Sequence, residues 1–304
     1  MGGTNAATIS VAIVTHGRPE LLDACLRSCV SQDWDALDIV VVLNPPDNRS
    51  SSLAANHAVR AINTHKNIGF FPALNLAIAN CRGNYIMVMD DDAKFMSNDC
   101  LARLKKILDE DDRCMIATCN IQGPCEAPPR TATAQVHLFK TGFALFRRRV
   151  FDDVAGFVPD AFFRAGGETF LSNCIYDHGF KVVLCHEAWM FHAQSAIARN
   201  NWAMNHYAVR NHALIVVLQE PLWVVLPSLL AKLVSTFIQI AIRRGDPLAW
   251  FSGWIGFLSK LPWAISRRKP IRSATYLYLR NLRSQDASRP VVHQSGDELR
   301  PDSV

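Results

Sequence analysis

Three carboxylates in a row, Asp90, Asp91 and Asp92, follow the apolar run YIMVM (85–89) without a break. Adjacent carboxylates repel each other, and desolvation at a strand mouth raises the cost of keeping them ionised. A bound cation offsets both penalties. Side chains alternate along a strand, so Asp90 and Asp92 can share one pocket while Asp91 points away. Such a pair suits a hard divalent ion, which takes oxygen ligands and leaves positions open for phosphate oxygens. A plainer reading stays open for the triplet alone. Carboxylates also favour helix starts, and SNDCLARLKKIL follows, although Asp99 is already placed to cap it.

The elements around this cluster alternate in type. TISVAIVT (8–15) reads as a β-branched strand, and RPELLDACLRSCVSQ (18–32) has helical apolar spacing with Pro19 in its first turn. DIVVVLN (38–44) is a second buried strand, followed by the turn-rich PPDNRSSS, a helix-like LAANHAV and a short strand ending near His65. FFPALNLAIANC (70–81) reads as a helix and YIMVMD as the third long strand. This pattern predicts a parallel-rich α/β sheet with helices on both faces, in which ligands collect at the carboxyl ends of the strands. Asp90 to Asp92 sit at such an end. Farther on, GPCEAPPRTAT (123–133) reads as a mobile loop and VHLFKTGFALFRR (136–148) as a strand leading into a helix. Residues 157–192 read as loop, helix, strand and strand.

The chain of 304 residues is 49% hydrophobic and 19% charged, enough for a substantial core and against wholesale disorder. Its nine cysteines form no CxxC pair, and no secretory signal precedes the first apolar run, which points to reduced thiols in the cytoplasm. Cys25 and Cys29, one helical turn apart, read as core residues. Residues 1–218 carry 20 Lys/Arg against 21 Asp/Glu, whereas residues 219–304 carry 12 against 6. The basic part also holds the long apolar runs 221–245 and 247–270, rich in Trp and edged by Arg and Lys. An anionic membrane surface therefore explains the excess better than nucleic acid does. Lys232 and Lys260 fall near the middle of each run, which disfavours a spanning helix. The expected arrangement is a pair of helices lying in the interface, with the lysines snorkelling outward; a soluble subdomain or an interface between copies of the chain stays open. The division expected is a catalytic domain over 1–218, a basic helical region over 219–283 and a disordered tail over 284–304.

Four ordered stretches then resemble a known family: VAIVTHGRPELLDACLRSCVSQ, HKNIGFFPALNLAIANCRGNYIMVMDDDA, TGFALFRRRVFDDVAGF and GGETFLSNCIYDHGFKVVLCHEAWMFH. Together, over about residues 8–215, they resemble a family 2 glycosyltransferase of the GT-A fold, of the bacterial rhamnosyltransferase-like, cell-envelope type. The resemblance implies that Asp90 and Asp92 hold Mg²⁺ or Mn²⁺ against the diphosphate of a nucleotide-sugar donor, with Asp90 also near the ribose and Asp91 in the donor site. It implies donor-site places for Thr15, Arg18, Asn67, Gly69 and Gly142, the last in TGFALF. Gly69 would permit a close backbone approach. Glu168 becomes the general base that takes the acceptor hydroxyl's proton in an inverting transfer, with Gly166 and Gly167 letting the acceptor come close. His192 becomes a third metal-site residue, and Arg210, with Asn211, resembles a late Arg-Asn pair facing phosphates. Asn75 matches a helix position read as structural, and His16 receives no role.

Two departures from the family pattern stand out. Leu43 occupies the place of an aspartate that contacts the base or ribose, leaving Asn44 or Asp47 as substitutes; Cys174 stands where an arginine is common. The implied activity is transfer of a hexose or deoxyhexose to a hydroxyl acceptor, small or glycan and lipid-linked or of the cell envelope, by an enzyme peripheral to the inner membrane face. Two other readings remain. A sugar nucleotidyltransferase needs a glycine-rich basic loop after the first strand, where VTHGRPE supplies one glycine. A membrane-bound scaffold without turnover has no need of Asp90, Asp92 and Glu168 together.

Overall fold

The computed structural model describes residues 8–35, 37–122, 133–195 and 200–288. Among the described residues, nine strands form one mixed sheet in the order β3-β2-β1-β4-β8-β6-β9-β5, with β7 also paired to β9. The strands are β1 (Ile9–Thr15), β2 (Leu37–Leu43), β3 (Arg60–Asn63), β4 (Tyr85–Asp90), β5 (Ala93–Phe95), β6 (Cys114–Gln122), β7 (Thr133–Gln135), β8 (Phe143–Arg147) and β9 (Lys181–His192). From β3 to β4 all pairings are parallel; beyond β4, antiparallel pairs enter. The expected α/β architecture is present. Most of loop 123–133 lies outside the described residues.

The helices are α1 (Pro19–Val30), α2 (Asn48–Asn56), α3 (Phe70–Asn80), α4 (Cys100–Glu110), α5 (Gly167–Asp177), α6 (Asn201–Gln219), α7 (Leu222–Thr236), α8 (Pro247–Ser266) and α9 (Ser273–Ser288). Strand alternation divides the core in two. Val11, Ile13, Val41, Met87 and Met89 pack with α1 and α4, and Cys25 and Cys29 are buried in this layer. Ala12, Val14, Val42, Ile86 and Val88 face the opposite layer of α3, α5 and α6. β1 is buried along its whole length because both faces are covered.

Three local expectations change. Asp99 precedes α4 but makes no cap bond; its carboxylate takes Ser97 and Arg103, and Gln32 Oε1 accepts the Leu101 N–H instead. Residues 181–192 form one strand rather than two, because a register shift between β6 and β9 absorbs the polar HEA stretch. Residues 136–139 are not a strand; β8 starts at Phe143 and leads into a π-helical turn, Val150–Val154.

The C-terminal helices pack onto the catalytic layer. A Cβ at Gly253 of α8 would lie 2.6 Å from Val209 Cβ and 2.9 Å from the His206 carbonyl, so α8 crosses α6 nearly backbone to backbone. Asp177 at the end of α5 accepts the Arg272 N–H at 2.8 Å, tying in α9. A π-helical segment, Phe237–Arg243, continues α7. Leu222, Leu226, Leu230, Val234, Ile238 and Ile242 form an exposed stripe along this unit, and Leu248, Phe251, Ile255 and Leu258 form another on α8. Leu222–Arg243 is long and apolar enough to cross a membrane, by length and composition. Lys232 does not snorkel outward. It is half-buried; burial and Arg283 lower its ammonium pKa, and Glu220 opposes them. α9 runs to Ser288, past the expected start of the tail, and residues 289–304 lie outside those described.

Candidate active site

Strand register sets the site. Val14 of β1 lies opposite Asp90 of β4, so Thr15 comes level with Asp91, and Ala93 of β5 pairs with His192, placing that ring beside Asp92. A cavity of about 490 Å³ opens here, at the carboxyl ends of β1, β2 and β4. Thr15, Arg18, Asn67, the three aspartates, Glu168 and His192 all reach its wall.

The aspartates have different surroundings. Asp91 is fully buried; Thr15 Oγ1 donates to it at 2.7 Å, and Arg18 grips both its oxygens, with Nε at 3.1 Å. Asp92 accepts from Arg18 Nη1 at 3.2 Å and from the Ser195 N–H at 3.2 Å, and its Oδ1 lies 3.3 Å from His192 Nε2. Asp90 receives no side-chain hydrogen bond among the described residues. Burial pushes its carboxyl well above the ordinary range, and the charges of Asp92 and Asp91 add to the shift. Burial also lifts Asp91 to about 6, against the pull of Arg18 and Thr15. For Asp92 burial acts in the same sense, but the His192 hydrogen bond, Arg18 and the Ser195 N–H hold it below the usual value.

One arginine thus pairs with two of the three carboxylates, and Asp90 has no ion-pair partner among the described residues. The ligand atoms of Asp90, Asp92 and His192 lie within 4.8 Å of one another. Two carboxylates and an imidazole form a donor set that fits Mg²⁺ or Mn²⁺, and the unpartnered Asp90 is the group that gains most from a cation. Thr15 and Arg18 line the cavity, with their polar atoms committed to fixing the aspartates.

Thr141 and Gly142 act as a unit. Thr141 Oγ1 donates to Glu168 Oε1 at 2.7 Å, orienting a carboxylate in the first turn of α5. At Gly142, φ is +90° and a Cβ would lie 2.3 Å from Asp90 Cγ. That glycine therefore makes room for Asp90 and is not on the cavity wall. Gly69 and Gly167 have a similar explanation, and neither lines the cavity. A Cβ at Gly69 would meet Phe163 at 2.7 Å, and one at Gly167 would meet the Phe71 ring at 2.2 Å. The space above Gly167 that was expected to admit an acceptor is filled by Phe71.

Arg210 is buried and lies off the cavity wall. It stacks 4.6 Å from the Tyr207 ring and donates to the Ala161 carbonyl and to Asn211 Oδ1. Asn211 Nδ2 donates to the Arg164 and Ala165 carbonyls at 2.7 and 3.0 Å. This pair braces the loop before Glu168, where Ala165 has a φ of +64°. Asn75 is structural, bonding the Val158 carbonyl at 2.7 Å. The substitutes foreseen for the missing aspartate are also engaged: Asn44 bonds Gly69 O and the Ile68 N–H, and Asp47 caps α2.

The cavity has a second wall that sequence patterns did not reveal. Phe163 and Arg164 come from the braced loop, Met204 and Ala208 from α6, and Arg244 from the link between α7 and α8. The one signal in the sequence was the Arg243-Arg244 pair ending an apolar run.

The glycosyl transferase family 2 pattern matches residues 10–163, half of the chain, and the protein belongs to that family. No curated protein matches it by sequence. Among solved structures, the mannosyltransferase PcManGT from Pyrobaculum calidifontis, in complex with GDP-Man and Mn²⁺, aligns at a TM-score of 0.56 with 15% identity, covering 93% of this chain and 81% of that one. TarS residues 1–349 from S. aureus, in complex with UDP-GlcNAc, aligns at 0.61 with 14% identity, covering 92% and 88%. GalNAc-T7 with UDP, GalNAc and Mn²⁺ aligns at 0.59 with 14% identity, covering 72% of this chain and 49% of that one. At these identities the likeness is one of fold. It is the GT-A fold, and the chain is a glycosyltransferase.

Proposed function

We propose that the protein transfers a sugar, with inversion, from a nucleotide-diphosphate sugar to a hydroxyl acceptor at a membrane surface. The observation that carries this reading is the single cavity holding Asp90, Asp92 and His192 together with an oriented Glu168. Asp90, Asp92 and His192 would hold Mg²⁺ or Mn²⁺, which would supply Lewis-acid stabilisation of the charge on the departing nucleoside diphosphate. Arg18 and Thr15 fix the direction of the aspartates. Asn67, on the wall beside β2, is placed for the nucleotide. Glu168, its Oε1 held by Thr141, takes the proton of the attacking hydroxyl. The PcManGT and GalNAc-T7 complexes contain Mn²⁺, and the TarS complex contains a nucleotide sugar, which supports the same ligand classes here.

The membrane part rests on the two exposed stripes and on their cations. Between 243 and 283 there are nine Lys/Arg and one acid. The occupant is an anionic bilayer on the cytoplasmic side, with the stripes of α7 and α8 at acyl depth and cations such as Lys260 and Arg267 at headgroup level. An acceptor on a lipid carrier or a cell-envelope glycan fits that placement.

The test is a thermal-shift panel of UDP-, GDP- and dTDP-sugars with and without Mn²⁺, followed by assay of nucleoside diphosphate release. Selective, Mn²⁺-dependent stabilisation by one nucleotide class is expected, because a ligand that binds only the native state raises its stability. Turnover left intact by Asp92→Ala would sink the metal assignment.

A further inference from the structure

We infer that Gln219, a buried residue away from the cavity, is a positioning residue for the transfer, because it sets where α5 carries Glu168. The inference rests on the reading of Glu168 as the general base and adds to it the residue that places that base.

The helix that bears Glu168 starts without a side-chain anchor. Gly166 precedes α5 with a φ of +91°, and no side chain caps the first turn, in which Glu168 lies. The first N–H groups of a helix lack intrahelical partners, and an uncapped end frays. Thr141 Oγ1 reaches the Glu168 carboxylate at 2.7 Å, but a bond at the tip of a side chain fixes a rotamer rather than a helix. The backbone of α5 has to be held from its next turn.

Gln219 holds it there. It is the last residue of α6 and is 2% exposed. Its Nε2 donates to the Phe170 carbonyl at 3.0 Å and lies 3.2 Å from Cys174 Sγ, while its Oε1 accepts from Asn173 Nδ2 at 3.0 Å. Residues 170, 173 and 174 stand at i, i+3 and i+4, neighbours on one helix face. One amide therefore grips a whole turn of α5 directly after the base. Ser172, buried in the same turn, makes no side-chain hydrogen bond among the described residues and adds no polar tie.

Gln219 is itself anchored. Its carbonyl accepts the Ile271 N–H at 2.7 Å, and the Leu218 carbonyl accepts the Lys269 N–H at 2.9 Å. Earlier in the same helix, Arg210 and Asn211 brace the loop before α5. α6 thus holds the segment around Glu168 on both sides, and Gln219 is the hold on the helical side. Position matters at this point, because a misplacement of about 1 Å at a reacting group costs about 10²-fold in rate. The aspartates at the end of β4 have other supports, from Thr15, Arg18 and the Ser195 N–H.

The experiment replaces Gln219 by Met, which keeps the length of the side chain and removes both amide bonds. Turnover is read as Mn²⁺-dependent release of nucleoside diphosphate from the nucleotide sugar that the thermal-shift panel selects, with water as the hydroxyl acceptor. For Gln219→Met, kcat is expected to fall by about 10- to 100-fold, the scale of a displaced reacting group. Donor KM and nucleoside diphosphate affinity are expected to change by less than about twofold, because ground-state binding is untouched. Arg148→Met supplies the comparison for stability alone: that guanidinium bonds the Gly83 carbonyl at 2.7 Å, just past β8 at the end away from Thr141. It is expected to lower the melting temperature and leave kcat unchanged. In the Glu168→Gln background, Gln219→Met is expected to lower kcat by less than about twofold further, since residues that act as one unit are not additive. A kcat for Gln219→Met within about twofold of wild type overturns the inference. Equal kcat losses in Gln219→Met and Arg148→Met overturn it too, by assigning the effect to stability, as does a full additional loss on top of Glu168→Gln. Unimpaired turnover in Glu168→Gln alone sinks the underlying reading of the base, an outcome distinct from the other three.

Discussion

At the end of β4 three carboxylates converge on one cavity, while on α7 to α9 the direction of each charge is set by packing. Asp90 ends β4 whereas Asp91 and Asp92 lie in the turn that follows, and Arg18 bridges the two turn residues. The C-terminal cations have no such constraint. Several of those read as membrane-facing are turned to the protein: Arg268 donates to the Val217 and Glu220 carbonyls, Arg272 pairs with Asp177, and Lys232 lies toward Glu220. A basic composition therefore holds the helices to the catalytic layer as well as facing an anionic surface. The outer side of α7 is left as an apolar stripe.

The sharpest way to break this contrast is at Glu168. If the strand-built site does the chemistry, Glu168→Gln should lower turnover by about 10²–10⁴-fold, the usual contribution of a general base. Nucleoside diphosphate binding with Mn²⁺ should persist, measured by calorimetry. Unchanged turnover would move the base to another residue and detach the chemistry from the oriented carboxylate.

The next effect tests whether the close fit around Asp90 matters. Gly142→Ala puts a Cβ within 2.6 Å of all three carboxylate heavy atoms and demands a φ of +90° from an L side chain. A stability loss of about 1–3 kcal/mol is expected in denaturant unfolding, together with weaker Mn²⁺ binding. Wild-type stability and metal affinity would show that Asp90 has room to move, and that its carboxylate is not held in place.

Much of this half was legible because its signals are local. The apolar runs of β1, β2 and β4 mark strands covered on both faces, the Asp triplet marks the end of β4, and the glycines were marked by their motifs. Their purpose was not legible: Gly69, Gly142 and Gly167 yield to Phe163, Asp90 and Phe71, which come from distant parts of the chain. Arg244 was missed for the same reason, since it reaches the cavity only because Gly253 lets α8 lie against α6. On α7 the apolar run extends so far around the helix that no periodicity told which side Lys232 would take.

A smaller effect addresses the outer face directly. Leu226→Glu on the exposed stripe should weaken binding to vesicles containing anionic lipid by about tenfold, the order expected for losing one partly inserted leucine. Lys232→Met should leave vesicle binding nearly unchanged, because that ammonium already faces Glu220 and Arg283. A strong loss for Lys232→Met, measured by co-sedimentation, would restore the snorkelling lysine and reverse the assignment of faces.

The smallest effect lies at the seam between the two regions. Asp177 has its carboxyl held below the ordinary value: burial opposes the shift, but the Arg272 N–H, Thr275 and the Arg272 guanidinium outweigh it. A depressed carboxyl contributes stability that is fully present above its unfolded value, about 3.9, and is lost as pH falls through the folded value. Asp177→Asn should therefore lower the melting temperature at pH 7 by an amount equivalent to under about 1 kcal/mol, since the partner Arg272 is mostly exposed. The wild-type and variant curves should converge below about pH 4. A difference that persisted undiminished into acid would mean that α9 is held by the packing of Tyr278 against Tyr176 rather than by this charge. The seam would then resemble the apolar contacts of α8 on α6 more than the charged site at the end of β4.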